Sequence, residues 1–132
     1  MCGFTGFLDR TGFADGEAQL RRMADTIVHR GPDSDGYWVD SDAGIALAHR
    51  RLAIIDLSPA GHQPMLSTDG RYVLSYNGEI YNHLDMRREL ETAGAVAWRG
   101  HSDTETLLAG FSVWGMLGTL QRANGMFAFA LW

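Results

Sequence analysis

The sequence predicts an α+β fold with two sheet faces to cover. Three observations lead there. Short apolar or alternating runs of strand type recur along the chain, three segments carry helical spacing of their apolar residues, and the two kinds do not alternate as regular βαβ units. Neither G-x-G-x-x-G nor G-x-x-x-x-G-K-[ST] occurs, so dinucleotide and P-loop chemistry are not expected.

At 132 residues the chain has the length of one domain. With 45% hydrophobic residues, 4 Trp, 4 Tyr and 6 Phe against only 3 Pro, it has the means to build a core and does not read as disordered. No apolar run reaches the ~18 residues that cross a bilayer, and the N-terminus lacks the basic and apolar regions of a signal peptide. Net charge is -5, and no basic patch supports a nucleic-acid partner. The single cysteine excludes an internal disulfide framework and fits a reducing compartment, so a cytoplasmic location is expected.

Taken in order, Cys2 to Leu8 (CGFTGFL) reads as a buried strand. A helix starts near Glu17 with Asp15 as N-cap; Leu20, Met23, Ala24 and Ile27 form its apolar face. Gly31-Pro32 stops it, with His29 and Arg30 in the last turn. Gly36–Asp40 and Ile45–His49 read as a hairpin across Ser41–Gly44, and Leu52–Asp56 as a further strand. Ser58 to Thr68 reads as a loop. Arg71–Asn77 alternates as a strand, breaks at Gly78, and resumes over Glu79–Tyr81. Asn82 caps a helix over His83–Ala93 that ends at Gly94. Ser102 and Glu105 form a capping-box pattern before a helix with Leu107, Leu108, Phe111 and Trp114 on one face, interrupted at Gly115 and Gly118. Met126–Trp132 is an apolar strand that ends without a turn or polar tail, which predicts that more chain follows.

Cys2 is the position with the clearest chemical potential. Removal of Met1 would give one residue both a thiol and a free α-amine. With an unperturbed pKa near ~8, that amine can take a proton near neutral pH and activate the neighbouring sulfur, as in N-terminal nucleophile catalysis. The alternative is an inert cysteine buried in a strand. Asn77-Gly78 has two readings: a hairpin turn, or a side-chain amide and a glycine N–H aimed at an oxyanion. Arg51 suits a substrate carboxylate and Asp103 a substrate ammonium, although either is also ordinary at the surface or in a helix cap. The five histidines are scattered without metal-ligand spacing, so no metal site is expected.

Six blocks, read together, narrow these choices. Met1-Cys2-Gly3, His29–Asp33 (HRGPD), His49–Asp56 (HRRLAIID), Asn77–Asn82 (NGEIYN), Ser102–Glu105 (SDTE) and Gly125–Trp132 (GMFAFALW) occur in this order. They resemble the class II glutamine amidotransferases, which are N-terminal nucleophile (Ntn) hydrolase domains, and in wording the glutamine-hydrolysing asparagine synthetase branch. The resemblance implies a four-layer αββα fold with two stacked antiparallel sheets between helices. It implies that Cys2 attacks the side-chain amide of L-glutamine while Asn77 and Gly78 hold the oxyanion, releasing ammonia through a glutamyl thioester. It also implies that Arg51 binds the α-carboxylate, that Asp103 and Glu79 receive the α-ammonium, and that the backbone of Leu52, Ala53, Ile54 and Ile55 lines the pocket. The HRGPD block carries structural duties, with Arg30 bracing the site.

The family passes its ammonia to a C-terminal synthetase domain in cis that uses ATP and Mg²⁺. No Ser-Gly-Gly-x-Asp-Ser loop of that kind occurs in these 132 residues. The glutaminase domain itself is expected to need no cofactor, and a homodimer is possible in the family. The rival readings are a non-catalytic Ntn-fold module and an Ntn amidohydrolase acting on another amide.

Overall fold

A computed structural model describes residues 2–53, 59–94 and 96–132. Strands β1 (Gly3–Leu8), β2 (Ser34–Asp40) and β3 (Ile45–Arg51) form one antiparallel sheet in the order β1-β3-β2. Strands β4 (Met65–Leu66), β5 (Val73–Ile80) and β6 (Gly125–Leu131) form a second, in the order β4-β5-β6. Helix α1 (Gly16–Asp25) covers the first sheet, and α2 (His83–Ala93) and α3 (Asp103–Arg122) cover the second.

Strand alternation produces these layers. On β3, Ala46 and Ala48 face out to Leu20 and Ala24 of α1, with small side chains letting the helix approach closely. Ile45 and Leu47 point the other way, to Val73 and Ala130 of the second sheet. On β5, Leu74, Tyr76 and Ile80 face Met86, Leu107, Leu108 and Phe111 of the helices. The stack is therefore α1, sheet, sheet, α2 with α3, the αββα order the resemblance implies. Phe111 is 1% exposed at the centre of the largest core cluster; truncation of such a residue to alanine typically costs about 3–5 kcal/mol.

Several local expectations need correction. The first helix ends at Asp25, and His29 and Arg30 lie in a separate 3-10 turn, Val28–Arg30. Strand β3 continues through Arg51, and Leu52 and Ala53 leave the sheet. The rest of the expected Leu52–Asp56 strand, including Ile54 and Ile55, lies outside the described residues, as does Met1. The Ser58–Thr68 loop contains the short strand β4. Asn77-Gly78 is neither a turn nor a break: β5 runs through it, pairing Asn77 with Ala128 and Gly78 with Phe127. A Cβ on Gly78 would lie 2.5 Å from the Phe127 Cα, so only glycine permits this pairing.

Helix α2 has its expected bounds, but Asn82 does not cap it with its side chain. That amide instead ties β6 to α3, donating to the Arg122 carbonyl at 2.9 Å and accepting from Asn124 N–H at 2.8 Å. Ser102 caps α3 as expected, accepting from Glu105 N–H at 3.2 Å. Gly115 breaks that helix, with φ 73° and ψ 171°, whereas Gly118 is helical. The chain turns back there. A Cβ on Gly110 would meet the Thr119 side chain at 2.6 Å, although nine residues of straight helix span about 13.5 Å.

Candidate active site

A cavity of about 220 Å³ opens where the N-terminal end of β1, the end of β3, the second half of β5 and the start of α3 converge. That is below the ~300–1,000 Å³ of drug-sized sites and suits a small metabolite. Cys2, Arg51, Leu52, Asn77, Gly78, Glu79 and Asp103 all border it. Residues far apart in sequence therefore meet on one wall. Of the expected lining residues, Ala53 is not among those bordering the cavity; its N–H is held by the Asp33 carboxylate at 2.8 Å.

Cys2 is half-buried rather than sealed in the core. Its Sγ lies against Leu52, 3.3 Å from the backbone N–H and 3.4 Å from the carbonyl. The N–H donates to the sulfur and the carbonyl accepts from the thiol, so the sulfur is held in one place. Arg30 donates to the Cys2 carbonyl at 3.3 and 3.4 Å. The HRGPD block thus secures both sides of the thiol: Arg30 holds the Cys2 backbone, and Asp33 holds the loop that carries Leu52.

The free edge of β5 supplies the polar groups. Val73 exchanges both backbone hydrogen bonds with Trp132 of the neighbouring strand. By alternation, the N–H groups of odd-numbered residues point to β6 and those of even-numbered residues point away. Beyond Leu74 no strand among the described residues covers that outer edge, and side chains take its place. Gln63 Oε1 accepts from Tyr76 N–H at 2.6 Å, and Asp103 Oδ2 accepts from Ile80 N–H at 2.9 Å. Gly78 lies between them, and its N–H has no intramolecular partner among the described residues. It is on the cavity wall, placed to donate to a ligand. The same alternation puts the Asn77 side chain on the inter-sheet face, toward the sheet that begins at Cys2.

Asp103 is 4% exposed. Its carboxylate accepts from Thr104 N–H, Ile80 N–H and the Tyr76 hydroxyl, at 2.9, 2.9 and 2.8 Å. No cationic side chain pairs with it among the described residues. A buried carboxylate without a counter-charge, on a cavity wall, is suited to a ligand cation. Burial, then the Asp103 charge, pushes the Tyr76 phenol far above its ordinary value, so the hydroxyl keeps its proton and donates. His49 is buried between the sheets with Nε2 2.9 Å from the Tyr76 carbonyl. Since a carbonyl only accepts, Nε2 carries the proton. Burial lowers this imidazole from 6.5 to about 4, and its Nδ1 has no hydrogen-bond partner among the described residues.

Sequence reasoning did not anticipate Gln63 or Tyr76. Strand alternation places the Tyr76 ring among core residues, and nothing in its neighbourhood along the chain signals a hydroxyl aimed at Asp103. Gln63, a polar residue before Pro64 in a loop, gave no sign of being buried. Among the described residues no three His, Cys, Asp or Glu side chains converge as a metal site requires, and no helix is long and apolar enough to cross a membrane.

A family model described as a glutamine amidotransferase domain matches residues 1–132. The glutamine-hydrolyzing asparagine synthetase 1 of Bacillus subtilis (strain 168) is 42% identical over 135 residues, covering all of this chain and 21% of that protein. A putative glutamine-hydrolyzing asparagine synthetase of Mycobacterium tuberculosis (strain ATCC 25618 / H37Rv) is 40% identical over 145 residues, covering all of this chain and 22% of that protein. Amidase chry2 of Gibberella zeae is 35% identical over 142 residues, again covering the whole chain and 21% of that protein. The chain thus spans about a fifth of the length of the curated relatives it matches.

Proposed function

The chain belongs to the glutamine amidotransferase domain family, and from that premise we propose that it hydrolyses the side-chain amide of L-glutamine at Cys2. The observation that carries this reading is the meeting, in one small cavity, of the Cys2 thiol, the unpartnered Gly78 N–H and the buried, uncompensated Asp103 carboxylate.

The proposed chemistry begins with removal of Met1, which frees the Cys2 α-amine. Arg51 takes the glutamine α-carboxylate, while Asp103 and Glu79 take its α-ammonium. The Cys2 sulfur bonds to the carboxamide carbon and its proton passes to the α-amine. The carbonyl oxygen gains the negative charge, held by the Asn77 amide and the Gly78 N–H. The proton then moves to the departing nitrogen, the C–N bond breaks, and ammonia leaves a glutamyl thioester. Water, giving a proton to the same amine, attacks the thioester; the C–S bond breaks, and glutamate and the Cys2 thiol are restored. No cofactor enters these steps.

The relatives' names, glutamine-hydrolyzing asparagine synthetases, support a synthetase as recipient of the ammonia; in keeping with the resemblance, that domain would lie in cis and use ATP and Mg²⁺, with this chain as the glutaminase part of a longer protein. A reducing cytoplasm, where an unpaired thiol stays reduced, is the compartment that suits Cys2.

Glutamate release from glutamine, with intact mass to establish the loss of Met1, tests the reading. Cys2→Ala should abolish hydrolysis with the fold retained. Asn77→Ala should lower kcat by about 10²–10³ with little change in KM. Undiminished turnover in Cys2→Ala overturns the assignment.

A further inference from the structure

We infer that Tyr76 is a positioning residue that joins the ammonium-binding end of the site to the oxyanion-binding edge; the inference rests on the glutaminase reading. Four hydrogen bonds carry it. The Tyr76 hydroxyl donates to Asp103 Oδ2 at 2.8 Å, sharing that oxygen with Ile80 N–H at 2.9 Å. The Tyr76 N–H donates to Gln63 Oε1 at 2.6 Å, and the Tyr76 carbonyl accepts from His49 Nε2 at 2.9 Å. Every polar group of this residue is thus held by a side chain or holds one, and the residue is 2% exposed.

Its place in the chain gives those bonds a consequence. The next two residues, Asn77 and Gly78, are the proposed oxyanion donors, on an edge with no neighbouring strand among the described residues to fix it. Gln63 and His49 supply the fixing on either side of Tyr76. Gln63 is itself held by its contact to Thr104 Oγ1 at 3.4 Å, and Thr104 is the residue after Asp103. Glutamine carries its ammonium and its carboxamide at opposite ends, so both must be seated together for attack. The phenol sets the position of the Asp103 carboxylate, while the clamped peptide of Tyr76 sets the donors at the other end. The ring cannot shift without moving both.

The two halves predict opposite kinetic signatures in the full-length protein. Tyr76→Phe deletes one donor to Asp103 and leaves the backbone clamps intact. Competitive inhibition by L-glutamate should weaken about tenfold, because the Asp103 carboxylate that takes its ammonium loses one of the three donors that hold it in place. Inhibition by glutarate, which lacks the ammonium, should stay within about twofold. His49→Leu removes the donor to the Tyr76 carbonyl. It should lower kcat for glutamine about tenfold at nearly constant KM, while His49→Gln, whose amide N–H reaches a similar position, restores most of the rate.

Equal weakening of glutamate and glutarate in Tyr76→Phe would mean a merely structural tyrosine and overturn the inference. So would unchanged inhibition by both. A double-mutant cycle gives an independent reading: in an Asp103→Asn background, Tyr76→Phe should weaken glutamate no further, and full additivity overturns the coupling. Wild-type protein that leaves glutamine intact overturns the glutaminase reading and this inference with it; active wild type with indifferent variants overturns the inference alone.

Discussion

Asp103 and Glu105 stand two residues apart in the first turn of α3, each about 95% buried, and the fold treats them in opposite ways. Glu105 is neutralised from within. Its oxygens accept from Arg99 N–H at 2.6 Å and Gly100 N–H at 3.0 Å, and the Arg87 and Arg99 guanidinium groups lie 3.7 Å away. Arg87 in turn donates to the Gly100 carbonyl at 2.7 Å and stacks over Trp98 at 3.8 Å. This carboxylate fastens the segment before α3 onto α2. Asp103 receives only neutral donors and faces the cavity. Burial alone therefore does not mark a functional carboxylate; burial without a counter-charge, beside open space, does.

The largest expected effect tests the structural member. Glu105→Gln removes the carboxylate from a buried ion pair with Arg87, a kind of loss that typically costs about 3–5 kcal/mol. Denaturant unfolding should show it, while the KM for glutamine should be unaltered in protein that remains folded. A large rise in KM with intact stability would reverse the roles assigned to the pair. Asp103→Asn should do the opposite. Glutamine binding should weaken by about 2–5 kcal/mol, as for loss of one member of a desolvated charge pair, while denaturant unfolding should show a smaller loss than Glu105→Gln.

A third buried ionisable group extends the comparison. His49 avoids the cost of a buried charge by staying neutral. Its pKa is about 4 in the fold against 6.5 ordinarily, so between those values the unfolded chain binds more protons. Its contribution to stability should be complete above pH 6.5 and fall away as pH drops toward 4, by about 3 kcal/mol in all. Unfolding measured from pH 7 to pH 4 should show the loss, and His49→Gln should remove that share of it. An identical pH profile in the variant would contradict the neutral assignment.

The smallest effect belongs to the far half of the same helix, where no buried carboxylate is at stake. Gly115→Ala meets no atom within 4 Å but must adopt φ 73°. It should cost somewhat more than about 1 kcal/mol and leave glutamine turnover unchanged.

Much of the site was legible in the sequence. Cys2 was marked by its position next to the initiator methionine, and the ordered blocks brought Arg51, Asn77, Gly78, Glu79 and Asp103 forward as one set. Helix α2 and the Ser102 cap followed from local chemistry, because capping and helical periodicity are decided within a turn or two. The Asn77-Gly78 pair shows where local signals fail. By itself it reads as a hairpin, yet pairing with Phe127 and Ala128, about fifty residues later, holds it extended.

What the sequence determined by itself was the inventory: a lone thiol near the terminus, amphipathic strands and helices of an α+β fold, and the residue types glutamine chemistry needs. Which N–H of β5 is left unsatisfied, which of two buried carboxylates in one helical turn lacks a cation, and which core tyrosine holds it were decided only by the tertiary structure. Those properties depend on what approaches from Gln63, His49 and Arg87 across long stretches of chain. The absence of a partner in space leaves no trace in the order of residues.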